Sequence, residues 1–167
     1  MSLKPTQSSV FTILFIAYLS AVATLTMIPS ARFNLGATYG QVNIIPVVES
    51  YQQFWEMIRY GTPFGIRMYF QNLLGNIIMF VPFGAFATLL YKMRKRQVVL
   101  WAFVFSATLE LTQYSQRQIA YFRHVDVDDI LLNVAGALAG YALYKLARKA
   151  SKYIRLLHRD TAIDNVF

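Results

Sequence analysis

Long apolar runs separated by short polar passages set the pattern of this chain. Residues 5 to 31 carry no charge, and Val10 to Ile28 is almost wholly apolar. That is close to the roughly 20 residues a helix needs to cross a bilayer. Ala21-Val22-Ala23 resembles a signal-peptidase site, but the apolar run continues through Leu25, Met27 and Ile28. It outlasts the ~7–15 residues of a signal-peptide core, which favours an uncleaved span. Residues 68 to 91 again lack charge, with Pro82 and Gly84 in mid-span. Val98 to Tyr114 contains Glu110 as its one charge, and Ile130 to Tyr144 contains none. The pattern predicts spans over about 10–28, 72–91, 98–114 and 129–147, then a basic tail over 148–167.

Between the first two spans the pattern changes. Asn43-Ile44-Ile45-Pro46 reads as an extended or turning passage, because the residue before a proline is pushed away from helix. Tyr51, Phe54, Trp55 and Ile58 then share one helical face, with Gln52, Gln53, Glu56 and Arg59 elsewhere. This predicts a short amphipathic helix, either lying in the membrane interface or packed over the mouth of the bundle. The fold class expected is all-α: a polytopic bundle of four transmembrane helices plus a short interfacial helix, in one domain.

Composition agrees. Of the 167 residues, 56% are hydrophobic and 14% charged, against about 25% charged in an average soluble domain. The net charge of +8 is gathered beside apolar segments, where it sets topology and meets anionic lipid, so membrane lipids are the expected partners and nucleic acid is not. Lys92, Arg94, Lys95 and Arg96 crowd one short loop, and Lys145, Arg148, Lys149, Lys152, Arg155 and Arg159 follow the last span. The positive-inside rule places both regions, and by parity both termini, in the cytoplasm. With no cysteine and two histidines, neither a disulfide nor a transition-metal cage is expected.

The polar residues inside this frame are costly, and cost invites a functional reading. Glu110, Gln113 and Arg117 fall on one helical face. Asp126, Asp129, Asn133, Gly136 and Gly140 fall on another. Asn72 and Asn76 lie one turn apart at the start of the second span. At about 1.5 Å per residue, all these polar groups sit within roughly the outer 10 Å of the membrane, on three different spans. Matched height suggests a shared cavity opening outward. Simpler roles compete. Asp128 and Asp129 suit helix capping. Glu110 could merely pair with Arg117 or Arg123. Asn72, Asn76 and Asn133 could be interhelical glue, and Gly136 with Gly140 forms a G-x-x-x-G surface that would also suit a homodimer. His124, Asp126 and Asp128 form an H-x-D-x-D arrangement of low specificity for a divalent cation; no metal and no cofactor is expected.

These motifs resemble the VanZ-like family of small membrane proteins. The likeness rests on N-x-x-x-N followed by F-V-P-F-G at Asn72 to Gly84, then E-x-x-Q at Glu110 and Gln113. It ends with R-x-x-D-x-x-D-x-x-x-N-x-x-G-x-x-x-G at Arg123, Asp126, Asp129, Asn133, Gly136 and Gly140. It covers roughly residues 10 to 147 and departs from some members in the tail, which is basic here rather than a further span. The resemblance implies a multi-pass protein of the bacterial cytoplasmic membrane linked to resistance against teicoplanin-type glycopeptides.

Three functions follow as expectations. In the first, Asn72, Asn76, Glu110, Gln113, Arg117, Arg123, Asp126, Asp129 and Asn133 recognise a polar headgroup at the outer leaflet, a lipid-linked cell-wall precursor or the glycopeptide itself. In the second, an intramembrane enzyme modifies such a precursor with Glu110 and Asp129 as its acid–base pair. No nucleophile–histidine–acid arrangement, H-E-x-x-H or phosphate loop supports it. In the third, Glu110 carries protons for a transporter, although four spans are few and no inverted repeat is visible.

Overall fold

The structure is a computed structural model that describes residues 5–27, 42–43, 46–117 and 125–164. Five helices follow one another: α1 (Pro5–Met27), α2 (Val48–Tyr60), α3 (Pro63–Tyr91), α4 (Lys95–Arg117) and α5 (Val127–Asp164). Among the described residues the one extended feature is a parallel pairing of β1 (Val42–Asn43) with β2 (Val125–Asp126), two residues each, which ties the passage before α2 to the start of α5. The fold is all-α, that of a helical membrane protein. Among the described residues, three stretches are long and apolar enough to cross a bilayer: Pro5–Thr26, Pro63–Tyr91 and Val127–Leu156. The expected span at 98–114 falls within α4, which is not among these three stretches.

The helix order follows from contacts. Gly136 packs on the Ile77 carbonyl and Gly140 on the Val81 carbonyl. Each step of four along α5 therefore matches a step of four along α3, so the two run parallel. The backbones approach so closely that a Cβ on either glycine would collide with the α3 carbonyls. The G-x-x-x-G surface that would suit a second copy of the chain is covered here by α3 of the same chain. α1 runs the other way: the Tyr18 hydroxyl donates to the Met79 carbonyl at 2.6 Å, while Phe15 meets Phe83 and Phe11 meets Phe86. α4 runs with α1, because Gln113, near the end of α4, reaches Thr26, near the end of α1.

The core is aromatic and small. Phe80 and Phe83 of α3 meet Phe105 of α4 with ring centroids 5.6 and 5.9 Å apart, the second pair stacked within 9°. Val98, Ala102 and Ala137 close the remaining space. The outward faces stay apolar, with Ile13, Ile16, Leu25, Ile78 and Leu143 exposed. That suits lipid as the surrounding solvent, in which such faces need no further cover. Hydroxyls within the helices satisfy themselves: Thr88 donates to the Gly84 carbonyl at 2.7 Å and Thr108 to Val104 at 2.8 Å. With no water to serve them, this is the cheapest partner available.

α2 presents its aromatic side outward. Tyr51, Trp55 and Ile58 are exposed rather than folded onto the bundle, and Phe54 meets Tyr69 of α3. Val47, which precedes α2, sits at φ 71°, in the left-handed region. This costs a β-branched residue roughly 1–2 kcal/mol. Asp128 holds it there, accepting from the Val47 N–H at 2.7 Å and from the Ser50 hydroxyl. Val47→Gly is expected to release that strain, offset in part by glycine's larger unfolded entropy, for a net gain of up to about 1 kcal/mol. Amide exchange across 48–60 should slow. Faster exchange would mean that Val47 contributes packing its exposure does not suggest.

Candidate functional site

The polar residues gather at the end of the bundle where α1 and α4 finish and α3 and α5 begin. Two amides of α3 converge on one carboxylate of α5. Asn76 Nδ2 donates to Asp129 Oδ1 at 2.5 Å, and Asn72, one turn earlier, lies close enough to influence that carboxylate. Helical spacing explains the pair: residues four apart stand one above the other on a face, so both amides point at the same neighbour.

One turn further along α5, Asn133 Nδ2 donates to Ser106 Oγ of α4 at 2.8 Å. Ser106 is 0% exposed and Asn133 3%. The Asn133 amide oxygen has no hydrogen-bond partner among the described residues. From this bond the heights of the remaining groups follow. Glu110 lies four residues beyond Ser106, and Asp129 four residues before Asn133. On antiparallel helices both steps lead toward the same end by about 6 Å. The Glu110 and Asp129 carboxyls therefore share a level, and Gln113 and Asp126 share the next one. Glu110 is 7% exposed. Gln113 Nε2 reaches the Thr26 carbonyl at 3.4 Å, a long contact that links this level to α1.

The aspartates at the start of α5 divide their work. Asp126 caps the helix, its Oδ1 accepting from the Asp128 N–H at 2.9 Å. Asp128 turns away to hold Val47 and Ser50. Asp129 faces α3. Capping thus falls to Asp126 rather than to Asp128 or Asp129. Of the H-x-D-x-D arrangement, the structure describes Asp126 and Asp128. Asp126 and Asp128 serve backbone N–H groups, and no cluster of three metal-ligating side chains occurs among the described residues. Arg123 and His124 lie outside the described residues, and Arg117 ends α4 with its side chain likewise outside them.

Glu110, Asp126, Asp128 and Asp129 stand at one end of the bundle. Lys92, Arg94, Lys95 and Arg96 stand at the other, where α3 gives way to α4. An open hollow of about 540 Å³ lies beside the acidic end, between α2 and the first turns of α3, and its walls include Glu56, Met57, Tyr60, Thr62, Tyr69 and Asn72. Of the described candidate site residues, Asn72 alone belongs to these walls; Glu110 and Asn133 are buried. Three participants were not anticipated. Ser106 sits four residues before Glu110 on the same face, a spacing that could have revealed it. Ser50 and Thr26 had no such signal.

Helices of this length and apolarity, with acids and amides collected at one end of the bundle, define a small helical membrane protein with a polar cluster at one end. The VanZ/LLP1 family model matches residues 15–148, a stretch that contains all of that cluster. The chain belongs to the VanZ/LLP1 family. It is similar to Protein VanZ of Enterococcus faecium, 30% identical over 135 residues that cover 78% of this chain and 74% of that protein. No solved structure matches it.

Proposed function

We propose that this chain serves glycopeptide resistance in the bacterial cytoplasmic membrane by recognising a polar headgroup at the outer leaflet, that of a lipid-linked wall precursor or of the drug itself. The observation that carries the reading is the convergence of α3 and α5 through Asn76 and Asp129, one turn from the buried Asn133–Ser106 bond. Polar side chains gathered at this depth discriminate strongly between ligands, because an unmatched partner leaves buried groups unpaired. The alternating directions of α1, α3, α4 and α5 support four membrane crossings. With the basic 92–96 loop inside, both termini are cytoplasmic and the acidic end faces out. Arg117 and Arg123, in and beside the 118–124 connection, supply cations suited to phosphate or carboxylate.

Glu110→Gln and Arg123→Ala are each expected to lower teicoplanin tolerance at least fourfold while protein abundance in the membrane stays unchanged. Tolerance is measured as the minimal inhibitory concentration and abundance by immunoblot. Undiminished tolerance in both variants would remove these residues from the site. Mass spectrometry of the wall precursors separates recognition from chemistry. An unchanged precursor pool is expected, and a modified precursor would assign Glu110 and Asp129 an acid–base role instead.

A further inference from the structure

The aromatic face of α2 is continuous with the lipid-facing side of α3. Tyr51 meets Trp55, Trp55 meets Phe54, Phe54 meets Tyr69 and Tyr69 meets Phe70, with ring centroids between 5.6 and 6.2 Å apart at each step. Phe70 heads a stripe on α3 in which Leu74 and Ile78 follow at intervals of four, and all three are exposed. The stripe lies in the charge-free part of α3, a helix long and apolar enough to cross a bilayer, so its solvent is lipid. A row of rings thus leads from the membrane-spanning surface to the end of the bundle and onto α2.

The faces of α2 suit the same neighbour. At 100° per residue, Tyr51, Phe54, Trp55 and Ile58 fall within an arc of about 100°. Ser50, which donates to Asp128 of α5, and the half-buried Met57 face the bundle roughly a quarter turn to one side of that arc. The exposed Gln52, Glu56 and Arg59 lie away from both. A helix lying in a membrane interface meets protein, lipid and water on three different sides, and α2 offers three different sides. Its height is also fixed. Asp128 accepts from the Val47 N–H at 2.7 Å, and the next residue, Asp129, accepts from Asn76 of α3. The entry to α2 and the polar cluster are therefore tied to consecutive residues of α5.

From this we infer that α2 is a lipid anchor. It lies in the membrane interface at the acidic end of the bundle, with Tyr51, Phe54, Trp55 and Ile58 among the upper acyl chains and Gln52, Glu56 and Arg59 in water. An interfacial helix sinks its apolar face about 5–10 Å into the boundary between headgroups and chains. Tyrosine and tryptophan suit that depth, because each joins an apolar ring to a polar group that stays wet. The occupant is lipid rather than protein, because the row of rings runs without a break into a stripe that lipid already covers. The anchor sets how deep the polar cluster sits: with Asp128 at headgroup level, Asp129 and Asn76 lie just beneath. This holds whatever the cluster recognises, and so stands apart from the recognition reading above.

The test uses the full chain, which has no cysteine of its own, in vesicles of phosphatidylcholine and phosphatidylglycerol. Tyr51→Cys, Gln52→Cys, Trp55→Cys, Glu56→Cys, Ile58→Cys and Arg59→Cys each carry one nitroxide. All six positions are exposed, so the label displaces no neighbouring helix. Ile78→Cys supplies the reference for a site facing lipid. Power-saturation electron paramagnetic resonance compares collisions with oxygen, which concentrates in the bilayer, and with a nickel chelate, which stays in water. The oxygen-to-nickel ratio is expected to be at least about threefold higher for the labels replacing Tyr51, Trp55 and Ile58 than for the other three, because one face of the helix enters the boundary. Low ratios at all six positions would place α2 in water and overturn the inference. Labels at Tyr51, Trp55 and Ile58 shielded from both reagents would overturn it too, by showing that a protein surface, such as a second copy of the chain, covers the face. Adding Asp128→Ala removes the tie to α5 and should leave the pattern in place, since lipid selects the face. Loss of the pattern in that background would make the tie its cause and equally overturn the anchor.

Discussion

Gly140→Leu should leave little or no folded protein in detergent, whereas Gly75→Ala, sixty-five positions earlier, should be neutral or stabilising. The contrast rests on what surrounds each glycine. A Cβ at Gly140 would strike the Val81 carbonyl and the Ala85 nitrogen, which are backbone atoms of a helix that cannot yield locally. The same holds for Gly136 against Ile77, and from the other side for Gly84 against Ala137. Three glycines thus zip α3 to α5 along the most extensive helix contact in the chain. Overpacking in a well-filled core costs about 1–3 kcal/mol and more when backbone must move. A leucine forced between two backbones belongs at or above the top of that range. Parting the helices would also stretch the Asn76–Asp129 bond at their shared end. Gly75, in contrast, has nothing within 4 Å of its Cβ position. There alanine adds helix propensity of up to about 1 kcal/mol without meeting an obstacle. Fluorescence-detected size exclusion after a temperature ramp measures both variants in one experiment. A Gly140→Leu protein that melts with the parent would show that α3 and α5 do not pack as described.

The reading of the fold from sequence worked where one physical signal dominated. Charge-free runs near residues 10, 75 and 135 could hardly be anything but membrane helices, and the break at Lys92 to Arg96 separates α3 from α4. Periodicity also set Asn72, Asn76, Asp129 and Asn133 on faces that the structure brings together. What remained hidden were contacts that periodicity does not carry. The β1–β2 pairing joins residues more than eighty positions apart by backbone alone. Asp128 looks like a helix cap in sequence, yet its carboxylate serves Val47 and Ser50, because β1 delivers the start of α2 beside it. The G-x-x-x-G signal announced close approach but could not say to which helix. The amphipathic pattern of α2 identified an aromatic face without revealing that this face looks outward and that the hollow forms behind it on the Glu56 and Tyr60 side.

The sharpest separation of structure from function comes from exchanging Asn76 and Asp129. Asp129→Ala should cost roughly 1.5–3 kcal/mol, since that is what a hydrogen bond to a charged group is worth and the Asn76 amide loses its acceptor. Asn76→Asp alone sets a second carboxylate against the first in a low-dielectric setting and should be at least as damaging. Asn76→Asp combined with Asp129→Asn restores one acid and one amide across the same gap, with the roles of α3 and α5 reversed. Residues in direct contact couple by about 0.5–3 kcal/mol, so the double variant should recover most of the thermal stability that Asn76→Asp loses. Its teicoplanin tolerance should not recover. In the parent, Asp129 stands at the level of Glu110 with Asn133 one turn below it, and the exchange moves the negative charge onto α3, away from both. Stability without tolerance would show that the position of the acid matters beyond holding α3 to α5. Recovery of both would reduce Asn76 and Asp129 to a structural clamp and shift the recognition role onto Glu110 and the residues of the 118–124 connection.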